Sequence, residues 1–175
     1  METREKSTVT STVKTLVLNG MAVALICVTA MLVHIRIPIA GTGGMIQLGD
    51  LPLFIFALLY GRKSGAIAGA FGLALFDLLS GWALWAPFSF IIGGLMGYIV
   101  GLAGENNPKG RVTPYVLSML AAAGITIAGY YIAEGILYGN WLAPVGSVPV
   151  NFLQVALPAC VSLPIGQRLK AMITT

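Results

Sequence analysis

Apolar runs long enough to cross a bilayer follow one another along this chain, and they leave few folds open. A hydrocarbon core of ~30 Å needs about 20 mostly apolar residues per helix. Backbone groups in lipid must be paired internally, so such runs are helices or the strands of a closed barrel. The alternating pattern of a membrane barrel is absent, so helices are expected. Composition agrees. Of 175 residues, 57% are hydrophobic and 9% are charged, against roughly 25% charged in a soluble domain. Ten basic and six acidic residues cannot give a chain of this length a water-facing shell.

Turn and polar signals divide the chain into six spans. Residues 1–13 carry Arg4 and Lys6 and read as a cytoplasmic tail or a short surface helix. The first span runs from Lys14 to Ile35, where Arg36 and Pro38 end it. It is long, and no small-x-small cleavage site clearly follows it, so it does not read as a signal peptide. Residues 36–50 form a Gly-rich loop. Asp50 then looks like an N-cap, with Pro52 early in the next helix. The second span, Leu51 to Tyr60, is short; it could be tilted, partly buried in protein, or continuous with a re-entrant loop. Gly61-Arg62-Lys63 makes a tight turn, and the third span runs to about Leu79. After a loop with two tryptophans (80–86), the fourth span runs from Pro87 to about Leu102. The most polar loop is 103–113. The fifth span runs from about Pro114 to Tyr138, and Pro149 opens the sixth, which Arg168 and Lys170 close.

Basic residues orient these spans. With the N-terminus inside, Arg4, Lys6, Lys14, Arg62, Lys63, Lys109, Arg111, Arg168 and Lys170 fall on the cytoplasmic side, and only Arg36 falls outside. That is a strong positive-inside bias. Trp82, Trp85 and Trp141 all fall on the outer side. The expected fold is an all-α integral membrane protein with six transmembrane helices and both termini cytoplasmic. The whole chain, 1–175, is expected to form a single transmembrane domain, with residues 1–13 as its cytoplasmic tail. The net charge of +4 does not indicate nucleic acid, because the basic residues sit in short clusters between apolar blocks.

Glycines recur at helix-packing spacing in two series, Gly61, Gly65, Gly69 and Gly93, Gly97, Gly101. Such rows let helices approach closely, and intramolecular packing is the expected role. Gly20 and Ala24 make a similar pair on the first span, which could instead face a partner protein.

No P-loop, HExxH or GxSxG is present, and Cys27 and Cys160 lie inside apolar blocks without metal-ligand spacing. His34 is the only histidine; near a helix end it is more often structural than a ligand contact, but it stays a candidate. Polar residues inside spans are costly in lipid and therefore informative. Asp50 is read as a cap. Asp77 is read as a partner of Arg36 or of backbone. Tyr131, Glu134 and Tyr138 fall at i, i+3, i+7, with Tyr130 four residues before Glu134. Asn151 and Gln154 share a face of the sixth span. These groups, with the tryptophans, point to one outward-facing pocket for a flat, polar heteroaromatic ligand. Separate interfacial snorkelling of each residue is the plainer alternative.

The segment IPIAGTGGMIQLGDLPLFIFALLYGRKSGAIAGAFGLALFDLLSG, followed by WAPFSFIIGGLMGYIVG, resembles the S components of energy-coupling factor (ECF) vitamin transporters over residues 35–104. The branch is that of hydroxymethylpyrimidine, pyridoxine and riboflavin-type S components. The resemblance implies high-affinity capture of a vitamin or vitamin precursor from outside the cell. Hydroxymethylpyrimidine or pyridoxine is favoured, with riboflavin, thiamine or folate as further options. It implies a transmembrane T component and two cytoplasmic ATPases as partners, so that ATP is hydrolysed there and this chain carries no cofactor, metal or catalytic residue. It also implies that the loop after the first span, residues 37–49, gates the pocket with Gln47 as a contact. Trp82, Trp85, Glu134, Tyr138, Asn151 and Gln154 then stand where pocket residues stand, and Tyr131 and His34 complete the candidate set. Gly20 and Ala24 fit the small-residue docking motif on the first span, with Gly in place of the more usual Ala. Two other readings remain: a membrane aspartyl peptidase using Asp50 and Asp77, and a helix-packing assembly protein without a ligand.

Overall fold

In a computed structural model, the protein is described over residues 2–39, 42–107 and 110–174. Helix α1 spans Glu2–Leu32. The polar start of the chain is thus helical and continuous with the first span, rather than a separate surface element. Asn19, Ala22, Ile26 and Ala30 recur at three- and four-residue steps and face the interior, while Val17, Met21, Leu25 and Val28 face outward. In lipid that outward apolar face is at home.

The helix ends earlier than the sequence suggests. His34–Ile39 (β1) and Thr42–Gln47 (β2) form an antiparallel hairpin, in register from His34 opposite Gln47 to Ile39 opposite Thr42. Within this helical fold, a two-stranded hairpin stands where an irregular loop was expected. Ile35, Ile37 and Ile39 alternate and favour an extended strand. Pro38 and the glycines at 43 and 44 disfavour a helix. Ala40 and Gly41 of the expected gate lie outside the described residues.

Helix α2, Asp50–Ser80, is helical throughout except at Gly61, whose backbone lies at φ 84° and ψ −178°. That left-handed conformation favours glycine. The chain reverses there. A methyl carbon added at Gly65 would lie 2.7 Å from the Ala57 side chain, and one at Gly69 would lie 3.0 Å from Leu53. In a straight helix those pairs would be about 12 Å and 24 Å apart. Residues 50–60 and 62–80 are therefore two antiparallel arms. The first arm is about 16 Å long, too short for a bilayer at 1.5 Å per residue. It is instead wrapped in protein: Leu53, Phe54, Ala57 and Leu58 are almost fully buried. Among the described residues, five helices are long and apolar enough to cross a membrane, the two-armed α2 counting once.

Asp50 is the first residue of α2 rather than its N-cap. Gly49 holds that position and makes no side-chain cap. Gln47 takes over locally: its side-chain Oε1 accepts the Gly49 N–H, and its side-chain Nε2 donates to Asp50 Oδ1 at 3.4 Å.

Helix α3, Ala86–Glu105, runs antiparallel to the second arm of α2 through the two glycine rows. A methyl carbon at Gly65 would lie 2.5 Å from the Gly97 carbonyl oxygen, and one at Gly93 would lie 2.5 Å from that of Gly69. The rows thus serve intramolecular packing, as their spacing indicated. Lipid tails are as apolar as leucine, so close van der Waals contact rather than burial from water holds such helices together. Arg62 closes the Gly61 turn onto the end of α3, with a 3.3 Å ion pair and a 2.9 Å backbone N–H bond to Glu105.

Helix α4 spans Val112–Tyr138, a 3-10 turn covers Ala143–Ser147, and α5 spans Val148–Thr174 with Pro158 and Pro164 inside it. The hairpin, the α2–α3 turn and the α4–α5 connection meet at one end of the bundle. The Gly61 turn and the α3–α4 connection lie at the other. There the Lys170 amine donates to the Gly104 carbonyl, and Gln167 donates to that of Gly110 at 3.4 Å.

Candidate functional site

A cleft opens at the hairpin end of the bundle, holding about 510 Å³ of unfilled space with its open mouth included. Each wall follows from helical or strand periodicity. Strand β2 contributes Gly44, Met45 and Gln47. The end of α2 contributes Leu73, Phe76 and Asp77, at i, i+3 and i+4 on one face. Trp82 and Trp85 come from the α2–α3 turn, and Ser89 stands one turn further into α3. Helix α4 supplies Tyr130 and Glu134, four residues apart, and α5 supplies Asn151 and Gln154, three apart.

The aromatic wall is a connected set. The Trp82 and Trp85 rings meet edge-on at 6.2 Å, and Trp85 also contacts Tyr130 at 6.2 Å and Tyr138 at 6.0 Å. The Arg36 guanidinium lies 5.3 Å from the centre of the Trp82 ring and donates to the Ser80 carbonyl at 3.4 Å. The polar wall is partly self-satisfied. Ser147 Oγ donates to Glu134 Oε2 at 2.7 Å, and the Ser89 and Tyr130 hydroxyls share a 2.9 Å hydrogen bond. Two atoms stay unmatched: Asp77 Oδ2 and Trp82 Nε1 are buried with no hydrogen-bond partner. Among the described residues, no Lys, Arg or His lines the cleft.

Six of the sequence-derived candidates converge here: Gln47, Trp82, Trp85, Glu134, Asn151 and Gln154. Three do not line the cleft. Tyr131 points sideways, donating to the Trp141 carbonyl at 2.7 Å. Tyr138 backs Trp85 instead of facing the space. His34 pairs its Nδ1 with the Met31 carbonyl at 3.0 Å and sets its ring edge-on to Phe76. Sequence reasoning passed over Ser89 and the apolar floor of Leu73 and Phe76, and it singled out Asp77 only as a partner of Arg36 or of backbone. It favoured Tyr131 over Tyr130. The usable signal was the four-residue step from Tyr130 to Glu134. Arg36 does not pair with the Asp77 carboxyl; its guanidinium is taken up by Ser80 and Trp82. On α1, Gly20 and Ala24 both face outward, and nothing lies within 4 Å of where a Gly20 side chain would begin.

A family model described as ECF-type riboflavin transporter, S component, matches residues 10–171. The chain belongs to this family of ECF S components. Among curated relatives of this S component, the thiamine precursor transporter HmpT of Lactococcus lactis is 32% identical over 143 residues, covering 82% of this chain and 80% of the relative. An uncharacterized protein of Pyrococcus woesei is 35% identical over 115 residues, covering 65% and 74%. A UPF0397 protein of Streptococcus agalactiae is 37% identical over 95 residues, covering 53% of this chain and 49% of the relative. The family is one of transporter subunits, not of enzymes. The pair that the peptidase alternative needs, Asp50 and Asp77, does not share the cleft. Asp77 lines the cleft, whereas Asp50 is fully buried behind Gln47 and does not.

Proposed function

We propose that this S component captures hydroxymethylpyrimidine, a thiamine precursor, from outside the cell and delivers it through an ATP-driven ECF complex. The observation that carries the reading is the convergence of Asp77, Glu134, two amides and two indoles on one cleft. Indole and phenol faces stack a flat ring, while the carboxyls and amides read its polar edge. The L. lactis relative, named as a thiamine precursor transporter, supports the choice of a pyrimidine.

In this reading the cleft end faces outside and the basic end faces the cytoplasm of a prokaryotic plasma membrane. Arg62, Lys63, Arg111, Arg168 and Lys170 gather away from the cleft, in line with the positive-inside rule. Counting the two arms of α2 separately gives six helical segments with both termini inside. The whole chain then acts as one binding unit, with the β1–β2 hairpin as the outer gate over Gln47. The outward face of α1 at Gly20 and Ala24 docks the transmembrane T component, whose two ATPase partners supply the energy.

Uptake of labelled hydroxymethylpyrimidine into cells co-producing this chain with an ECF T component and ATPases tests the proposal. Accumulation that needs all four subunits supports it. Accumulation unchanged when this chain is omitted refutes it.

A further inference from the structure

We propose that the groove between α4 and α5 is a lipid site: it holds one acyl chain of an anionic phospholipid whose headgroup rests on Arg111 and Arg168. The proposal needs only that the chain spans a bilayer. It stands or falls independently of which vitamin the outer cleft takes.

The groove shares no lining residue with the cleft. It lies inside two spanning segments, Val112–Tyr138 and Ala143–Met172. On α5 its wall steps from Phe152 through Ala156 and Cys160 to Leu163, and on α4 it runs from Val116 to Ala123. Three- and four-residue steps keep each set on one helix face. All the lining side chains are apolar, the Cys160 thiol included. Small residues in the middle, Ala123 and Ala156 among them, open the gap, and Phe152 and Cys160 on it are exposed.

Its dimensions select the occupant. The groove holds about 550 Å³ with its open side included. The step from Phe152 to Leu163 covers about 16 Å at 1.5 Å per residue. That is the depth of one leaflet of a ~30 Å hydrocarbon core. Spread over this length, the volume gives a channel about 6 Å across, too narrow to seat a helix of about 10–12 Å. The bilayer core offers no water to fill it. Left empty, the groove would deprive its lining of dispersion contacts, which an acyl chain supplies.

Charge at one end selects the headgroup. The α5 face that lines the groove continues one turn past Leu163 to Gln167, which donates to the Gly110 carbonyl at 3.4 Å. That bond brings Arg111 and Arg168 to one level at the end of the groove. Both arginines are exposed. Lys170 adds a further positive charge here, its ammonium 6.0 Å from the centre of the Tyr115 ring, and Tyr115 directly precedes Val116 of the groove wall. Glu105, the acid of α3 at this end, is engaged by Arg62. In the orientation proposed above, this end meets the cytoplasmic leaflet. Basic residues between spanning helices on that side favour anionic headgroups, and guanidinium matches phosphate geometry.

Native mass spectrometry of the purified full-length protein, stripped of lipid and titrated with phosphatidylglycerol or phosphatidylcholine, tests this. The wild type is expected to retain one phosphatidylglycerol per chain at least about tenfold more tightly than phosphatidylcholine, with about fivefold from each arginine. Replacing both arginines, Arg111→Gln with Arg168→Gln, is expected to bring the two lipids within about threefold of each other. Ala156→Phe fills the groove and is expected to weaken both lipids at least about tenfold; Cys160→Phe serves if that variant does not fold. Ile91→Phe, on the exposed face of α3, is expected to bind as the wild type does. Wild-type retention of the two lipids within threefold overturns the proposal. So does phosphatidylglycerol retention unchanged in both groove-filling variants, or an equal loss in Ile91→Phe, which would mark general annular lipid. Groove-filling variants that keep the lipid but no longer assemble with the T component would make the groove a protein-docking face instead, and would overturn the proposal as well.

Discussion

Ser147 Oγ donates a 2.7 Å hydrogen bond to Glu134 Oε2 and so ties the turn before α5 to the last turns of α4. Both residues are buried, at 1% and 3% exposure. The bond fixes which way the Glu134 carboxyl faces in the cleft. Glu134→Ala is expected to weaken ligand binding at least about tenfold, the loss of a hydrogen bond to a charged group. Ser147→Ala removes the orienting bond and is expected to cost about fivefold. Calorimetry on both variants, with helicity checked by circular dichroism, reads the difference. Equal affinity in both and in wild type would place the ligand elsewhere.

Asn151 is 6% exposed and lines the cleft one helical step from Gln154. Asn151→Ala is expected to weaken binding about fivefold to tenfold while leaving membrane insertion intact. Because Trp82 and Trp85 line the same space, ligand-induced change in tryptophan fluorescence reports the titration.

The contact between Gly65 and Gly97 leaves no room for a side chain, whereas a methyl group at Gly94 would meet Ala70 at an ordinary 3.4 Å. Gly97→Ala is expected to destabilise the protein by about 1–3 kcal/mol through overpacking. Gly94→Ala is expected to be near neutral. Thermal unfolding of both variants in detergent, compared side by side, checks this; equal melting temperatures would mean that α2 and α3 separate easily.

Gly20 faces outward from α1 with open space around it. Gly20→Leu is expected to leave ligand binding by the isolated protein unchanged and to impair uptake by the assembled transporter. Equal loss of both would mean that Gly20 packs within the chain.

The spans were legible because lipid demands long apolar helices, and the glycine rows because a four-residue step keeps small residues on one face. The hairpin was not. Its strands are six residues each, and alternating isoleucines beside a proline and glycines do not separate a strand from an irregular loop. The Gly61 reversal was visible as a turn, but the brevity of the first α2 arm made sense only once Leu53 and Phe54 were seen to be wrapped in protein. In the cleft, Tyr131 and Tyr130 differ by one residue, about 100° around a helix. Periodicity grouped the candidates but did not fix that rotation, which the packing of α4 decides. Asp77 stayed open between local partners and the pocket, because a polar group near a helix end has many local partners and only the assembled cleft places it on the wall.

The most direct test of the account is a calorimetric titration of the purified chain, without any partner, against hydroxymethylpyrimidine, pyridoxine, thiamine, riboflavin and folate. The expected result is submicromolar binding of hydroxymethylpyrimidine at one site per chain. Absence of submicromolar binding for every compound would contradict the account.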